Sequence, residues 1–529
     1  MKAHYLSYAD THRFTPLVLD YLAGDPFLQD FQLYPPTIDG LRSAAEARAF
    51  AGENRAALCS ALDRQYAGLA VPDAVRANLD RLKDQRSLTV TTGHQLCLFM
   101  GPLYVPFKIL NAVRLAERLT RELDRSVVPV FWMASEDHDR AEIDHAWVNG
   151  ERLHWPGRAG GAVGRLRLEG IEPVIEQLSR ALGAGGDEVM AVVRRCYKPD
   201  HTLAQATRLF INEVFGHLGV VVLDGDDPAL KRSFTPVMQS ELLNGITERC
   251  VAYADDRLKD RYALQAHARP INLFHLRPGH RSRIEADGDR YRLLDGGPVF
   301  TLDELLADLE LHPENYSPNV LMRPLYQETV LPNIAYIGGG GEVAYWMQLR
   351  WLFQAVQVPM PVVLLRTSAA FIPVKEEKVR EQLGLSVADV FLPVNALRDR
   401  AAHASSGIHT NVDDERTALD ALFKGLRSRA SGVDSTLGAS VDAATVRAMR
   451  LLDNLHGKMD RALRKRESVQ LDRLQRLLDA VFPNGALHER RDNFLPQYAR
   501  SGVQFLDHLM QHLDPLDTRF AVFMEEEER

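Results

Sequence analysis

Two neighbouring stretches restrict the architecture of this chain more than any other: SLTVTTGHQLCLFMGPLYVPFKILN over 87–111 and VVPVFWMASEDHDRAEIDH over 127–145. Each opens on a short run of apolar and β-branched residues bounded by polar or turn residues, the pattern of a strand buried on both faces in a parallel sheet. Each run ends in a polar cluster. Thr91, Thr92, Gly93, His94 and Gln95 follow the first, and Ser135, Glu136, Asp137, His138 and Asp139 follow the second. Between them, residues 105–119 repeat apolar side chains at helical spacing, which completes a βαβ unit. In an open α/β sheet, ligands bind beyond the carboxyl ends of the strands, where helix N-termini offer unpaired N–H groups. Both polar clusters are predicted to lie there.

The rest of the chain extends this plan. GVVVLD at 219–224 predicts a third strand ending in Asp224, Asp226 and Asp227, and VVLLR at 362–366 predicts a late one. Residues 1–86 read as mainly helical, and the Gly-rich stretch 147–168 as hairpins decorating the core. The stretch 281–300 turns at Asp287-Gly288 and Gly296-Gly297, which predicts a hairpin followed by a helix capped by Thr301. From about Val374 the composition becomes charged and helical. Residues 416–426 and 446–481 carry Leu, Met and Ala at three- and four-residue steps, ended by Pro483-Asn484-Gly485. This predicts a long helical hairpin or coiled coil, with the basic run 461–466 as its solvated face, able to pair with a second copy as a homodimer. The segment 489–521 is expected to return to the core.

Composition removes several function classes. With 63 Lys+Arg against 71 Asp+Glu, a net charge of −8, the chain has no field to gather nucleic acid or an anionic membrane. It opens without the continuous apolar stretch of a signal peptide, and its longest apolar run, 127–134, is too short to span a bilayer, so a cytoplasmic protein is expected. Cys59, Cys97, Cys196 and Cys250 are scattered without C-x-x-C spacing, which argues for reduced thiols and against a Cys-based zinc site.

The chemistry-bearing candidates sit at the strand ends and in a second dense region. Glu136, Asp137, His138 and Asp139 place three carboxylates around an imidazole, a set suited to proton transfer. Were the chain helical from Asp139, His138, Glu142 and His145 would share one face and hold a metal; the plainer reading is an acidic helix start. Gly93 permits close backbone approach, and His94 and Gln95 are donors for a phosphate or polar substrate, with Tyr104 and Lys108 in the first two turns of the following helix. In 316–350, Asn319, Arg323, Gln327 and Glu328 fall on one helical face, and Arg323 suits a carboxylate clamp, or else a buried ion pair. Gly338 to Gly341 followed by Glu342 and Tyr345 reads equally as an anion-cradling loop or as a tight turn of permissive φ, and it matches no standard nucleotide fingerprint.

Taken together and in order, TGHQ…GPLY…K, PVFWMASEDHD…EIDH, SPNVLMRPLYQE…LPNIAYIGGGGEVAYW and a late coiled coil resemble the cysteine-adding enzymes of bacillithiol biosynthesis, the BshC family, over nearly the whole chain. The resemblance implies an α/β fold: a Rossmann-like parallel-sheet core related to class I aminoacyl-tRNA synthetase and nucleotidyltransferase domains, with insertions and a long α-helical coiled-coil domain. It implies a catalytic core at 1–375, a coiled-coil dimerisation domain at 376–485 and a C-terminal segment at 486–529. The implied reaction is a ligase step joining the cysteine carboxyl to the amine of glucosaminyl malate. Gly93, His94 and Gln95 fall on that family's TG-x-Q element, often with Gln in place of His94, in a position resembling the HIGH signature of the synthetases. The chain departs from these relatives in having no KMSKS-like lysine loop, in Gly340 where Pro is common, and in lacking a Cys/His set like the thiol-selecting zinc site of cysteinyl-tRNA synthetases.

ATP or another adenine nucleotide is the expected cofactor, with no metal beyond a nucleotide-bound Mg, because a carboxylate needs activation, most simply as an adenylate. On this reading His94 and the Gly93 backbone steady phosphate charge. Asp137, His138 or Asp139 binds the cysteine amine or takes a proton, and Arg323 or Lys108 holds the malate carboxylates. Thr92, Gln95, Tyr104, Glu136, Asn319, Gln327, Gly338, Gly339, Gly340, Glu342 and Tyr345 complete the binding candidates. Arg490, Arg491, Asn493 and Tyr498 are candidates by polarity for a second nucleotide pocket between core and coiled coil. Two rival functions remain, a metal-dependent hydrolase using His138, Glu142 and His145, and a non-catalytic, nucleotide-sensing dimeric scaffold.

Overall fold

The computed structural model describes residues 1–158, 160–406, 410–466 and 468–525, with the side chains of 402–406, 464 and 466 outside the description. Five apolar runs form one parallel sheet: β1 (Leu88–His94), β2 (Val127–Met133), β3 (Val221–Asp224), β4 (Asn333–Gly338) and β5 (Val362–Leu365). Their spatial order is β5-β4-β1-β2-β3. Every residue of β2, β4 and β5 is buried, which explains why β2 and β5 read as continuous apolar runs. Helix α1 (Tyr104–Leu123) joins β1 to β2 and packs on both.

The order decides where a ligand can enter. The chain moves outward on one side through β1, β2 and β3, then returns to the other side of β1 for β4 and β5. In the register, Thr92 of β1 lies between Phe131 of β2 and Ile337 of β4. The connections of β1 and β4 therefore diverge, and a crevice opens beyond their carboxyl ends.

Between β3 and β4 lies a large insertion. It begins with α2 (Pro228–Asn244) and continues into an antiparallel sheet of Leu273–Arg277, His280–Asp287, Arg290–Leu293, Val299–Phe300 and Tyr316–Pro318. The expected hairpin is there, turning at Gly288 with φ of 66°, and Thr301 caps the next helix in a reciprocal pair with Glu304. The insertion ends in α3 (Arg323–Val330), and β4 runs into the short helix α4 (Gly340–Trp346).

The C-terminal half contains α5 (Asp413–Val433), α6 (Leu437–Arg466) and α7 (Ser468–Val481). Ion pairs Arg416–Asp453 and Arg427–Asp442 run across α5 and α6 in opposite directions, so the two helices form an antiparallel hairpin, as the heptad-like spacing predicts. Leu474, Leu477, Leu478 and Val481 of α7 are buried in the main core. Of the basic run 461–466, the side chains of 464 and 466 fall outside the described residues. No described helix is long and apolar enough to cross a membrane.

Residues 1–86 are mainly helical, as expected, but they open on a strand: Lys2–Ser7 runs antiparallel to Arg519–Met524, which in turn pairs in parallel with Ala369–Ile372. The partner that makes KAHYLS a strand lies at the other end of the chain, beyond the reach of local pattern reading.

Candidate active site

A cavity of about 880 Å³ opens at the carboxyl ends of β1, β2 and β4. One wall is built from the sheet: Gly93 and His94 at the end of β1 with Gln95 just beyond it, Glu136 and Asp137 after β2, and Gly339 to Glu342 after β4. The other comes from the insertion, including Arg269, Phe274, Arg281, Arg283 and Asn319. Arg366, just beyond β5, and Arg490 from the C-terminal segment complete it. Seven cationic side chains against three carboxylates line this space, in a chain whose net charge is −8. A cavity of that sign inside an acidic protein concentrates anions.

On the sheet wall the charges are paired. The Lys108 ammonium, buried beneath β1, meets the Glu342 carboxylate and donates to the Gly93 carbonyl at 2.8 Å. Glu342 also accepts from the Tyr336 hydroxyl at 2.5 Å and from the Gly339 N–H at 2.7 Å, so it closes the first turn of α4. Burial pulls the Lys108 ammonium down and opposes ionisation of Glu342, but Lys108 and the Gly339 N–H hold the Glu342 carboxyl below its usual range. Arg366 grips Glu489 with both amino groups, at 2.9 and 2.7 Å, and lies over the Tyr104 ring. Its Nε is buried without a hydrogen-bond partner.

Burial and the charges of Lys108 and Arg366 push His94 down to about 3, so its imidazole is neutral at physiological pH. Its Nε2 lies 3.3 Å from the Tyr104 hydroxyl and 3.7 Å from Cys97 Sγ. The Cys97 thiol, pushed up to about 12 by burial and the nearby Glu142 and Asp137, stays protonated.

The cluster after β2 is tied to the insertion. Gln95 donates to Asp137 at 2.7 Å, and the His138 N–H does the same. Burial works against the Asp137 charge, but these bonds and Arg281 at 3.9 Å hold its carboxyl well below the usual range. Arg281, stacked 3.9 Å over Phe274, donates to His138 Nδ1 at 2.9 Å. Glu136 pairs with the buried Lys231 of α2, and burial pushes its carboxyl up.

Comparison with known proteins identifies the family. The model of the N-terminal Rossmann-like domain of bacillithiol biosynthesis BshC matches residues 1–367, and that of its C-terminal coiled-coil domain matches 369–525. The chain belongs to the BshC family. Relatives in Flavobacterium johnsoniae and Christiangramia forsetii, each named "Putative cysteine ligase BshC", are 35% and 36% identical over 98% and 99% of both chains. One of the same name in Geobacillus kaustophilus is 30% identical over 84% of this chain and 85% of its own.

Several residues singled out in this BshC sequence stand elsewhere. Thr92 is buried in the sheet, donating to the Ile337 carbonyl at 2.9 Å, and Gly338 is the last residue of β4. Gln327 lies behind the cavity, accepting from Arg323 at 2.9 Å and donating to Glu328 at 2.7 Å. Burial pushes the Glu328 carboxyl up to about 7, against the opposing pull of Arg48, Asn333 and Gln327. Asp139 caps the short helix Arg140–Ile143. That helix ends before His145, which opens a strand, so the shared face expected of His138, Glu142 and His145 does not form. His138 stands beside the cavity through its bond to Arg281.

Arg491 stacks on Trp147, and Asn493 donates to the carbonyls of Phe99 and Gly101; of this segment it is Arg490 that reaches the cavity. Tyr498 packs on Phe494. None of Gly338 to Gly341 has positive φ. The loop needs glycine for space: a Cβ at Gly338 would stand 3.0 Å from Glu342 Cβ, and one at Gly340 would stand 3.0 Å from Val18. Arg366 was within reach of the strand-end rule, since it is the polar residue that closes VVLLR, whereas Arg269, Arg281 and Arg283 carry no local signal.

Proposed function

We propose that this protein is a ligase of bacillithiol biosynthesis that joins the carboxyl of cysteine to the amine of glucosaminyl malate, forming an amide. The observation that carries the reading is the strongly cationic cavity at the strand-order reversal of a BshC-family core. Both the malate end of the acceptor and the phosphates of an activating nucleotide are anionic. A carboxylate is a poor acyl donor, and an adenine nucleotide, when bound, supplies the leaving group that lets a C–N bond replace a C–O bond.

The residues present fit such a nucleotide. Gly339 leaves open a space in which a Cβ would stand 3.4 Å from Glu342 and 3.9 Å from the unpartnered Arg366 Nε. Arg366, Arg490 and neutral His94 hold the phosphate charge there. Asp137, ionised at neutral pH, binds the ammonium group of cysteine. Glu136, whose basicity burial raises, takes the proton released when the sugar amine attacks. The exposed Leu422, Leu451 and Leu455 of the hairpin support pairing with a second copy.

Thiols of the host are measured by mass spectrometry of derivatised extracts, with the gene deleted and then restored. Loss of bacillithiol with accumulation of glucosaminyl malate, both reversed on restoration, is expected. Bacillithiol at wild-type level in the deletion strain overturns the reading.

A further inference from the structure

The insertion wall differs from the sheet wall in one respect that identifies a subsite. Lys108 and Arg366 are each neutralised by a carboxylate, but neither Arg269 nor Arg283 has an ion-pair partner among the described residues, although both line the cavity. Arg283 and Arg281 lie two residues apart on the strand His280–Asp287, so they point to the same face. Arg281 is committed to His138, Ser317 and the Pro318 carbonyl, which leaves Arg283 as the free guanidinium of the pair.

The backbone of Arg269 is held in place. Its N–H donates to Asn272 Oδ1 at 3.1 Å and its carbonyl accepts from Asn272 Nδ2 at 2.6 Å. Asn272 is itself anchored by two bonds to the buried Glu241, at 2.9 and 2.8 Å. Its Oδ1 also accepts from Asn319, a third residue of the same wall, at 2.8 Å. Fixed backbone beneath two uncompensated guanidiniums is the construction of an anion subsite, with two forks for two carboxylates.

We propose that Arg269 and Arg283 form a dicarboxylate subsite, which takes the malate end of the acceptor and so directs its amine toward the carboxyl activated at the β1–β4 crevice. This assignment rests on the ligase reading and replaces Lys108 and Arg323 as the malate anchors. Lys108 is spent on Glu342, and Arg323 is engaged by Gln327 and Tyr345.

The test is calorimetric titration of the full-length protein with L-malate and with L-lactate, a hydroxy acid lacking the second carboxylate. Wild-type protein is expected to prefer malate. Arg269→Gln and Arg283→Gln should each weaken malate binding by about tenfold, and the double variant should lose the preference while still binding ATP. Matching unfolding midpoints show that the loss is not misfolding. Equal malate binding by wild type and double variant, or no preference in the wild type, overturns the subsite. In a deletion strain, the wild-type gene should restore bacillithiol and the double variant should not. Full restoration by both removes the subsite and leaves the ligase reading standing. Bacillithiol that persists in the deletion strain itself removes the ligase reading, and the titration alone then decides whether the dicarboxylate site exists.

Discussion

The two walls of the cavity carry cations on different terms. At the sheet ends, Lys108 and Arg366 are buried and each is matched by a carboxylate, Glu342 and Glu489. On the insertion, Arg269 and Arg283, which line the same cavity, have no such match among the described residues. A buried pair fixes positions and contributes little field of its own, and removing one member strands the other. An unmatched, hydrated guanidinium contributes little to folding but leaves its charge for a ligand. The sheet wall is thus a rigid frame, and most of the uncompensated positive charge of the cavity resides on the insertion wall, with Arg490 of the C-terminal segment adding to it.

The largest break in this contrast is Lys108→Met. It leaves Glu342 ionised at the base of α4 without its cation, and the protein should lose about 3 kcal/mol of stability, read by denaturant unfolding. The Arg283→Gln variant, made in the opposite wall, should leave the unfolding midpoint in place. Comparable losses in both would erase the distinction.

A smaller effect sharpens it through pH. Behind the sheet wall, Glu328 accepts from Gln327 and from Asn333, while its Oε2 is buried with no partner. Its carboxyl ionises near 4.5 when unfolded and near 7 when folded, so the unfolded chain releases this proton first. Stability should therefore fall as pH rises through that window, by up to about 3 kcal/mol. Glu328→Gln should remove this dependence, so that wild type loses stability relative to the variant between pH 4.5 and 7. Parallel stability curves would show that Glu328 titrates normally.

Much of the sheet wall was legible in the sequence because it is assembled from strand ends. A buried parallel strand announces itself as an apolar run, and the polar residues that follow it are at the ligand-binding edge; His94 and Asp137 were found this way, and Glu342 through the glycine run that precedes it. The insertion wall was opaque for the opposite reason. Arg269 and Arg283 sit in ordinary polar sequence, and only the packing of the inserted sheet against the crevice gives them a role. The same reason separates Arg490 from Arg491, neighbours of identical type, of which one lines the cavity and the other stacks on Trp147. The metal-like spacing of His138, Glu142 and His145 failed because the helix assumed for it stops at Ile143.

The central claim is that the amide is made in the β1–β4 crevice, and Gly339→Val tests it most directly. Gly339 has φ of −78° and ψ of 173°, which any residue adopts, so the substitution adds bulk to the space beside Glu342 and Arg366 without straining the backbone. Expressed in the deletion strain at wild-type level and with a wild-type unfolding midpoint, this variant should yield no bacillithiol while glucosaminyl malate accumulates. Bacillithiol at the wild-type level from the folded variant would contradict the placement of the reaction in this cavity.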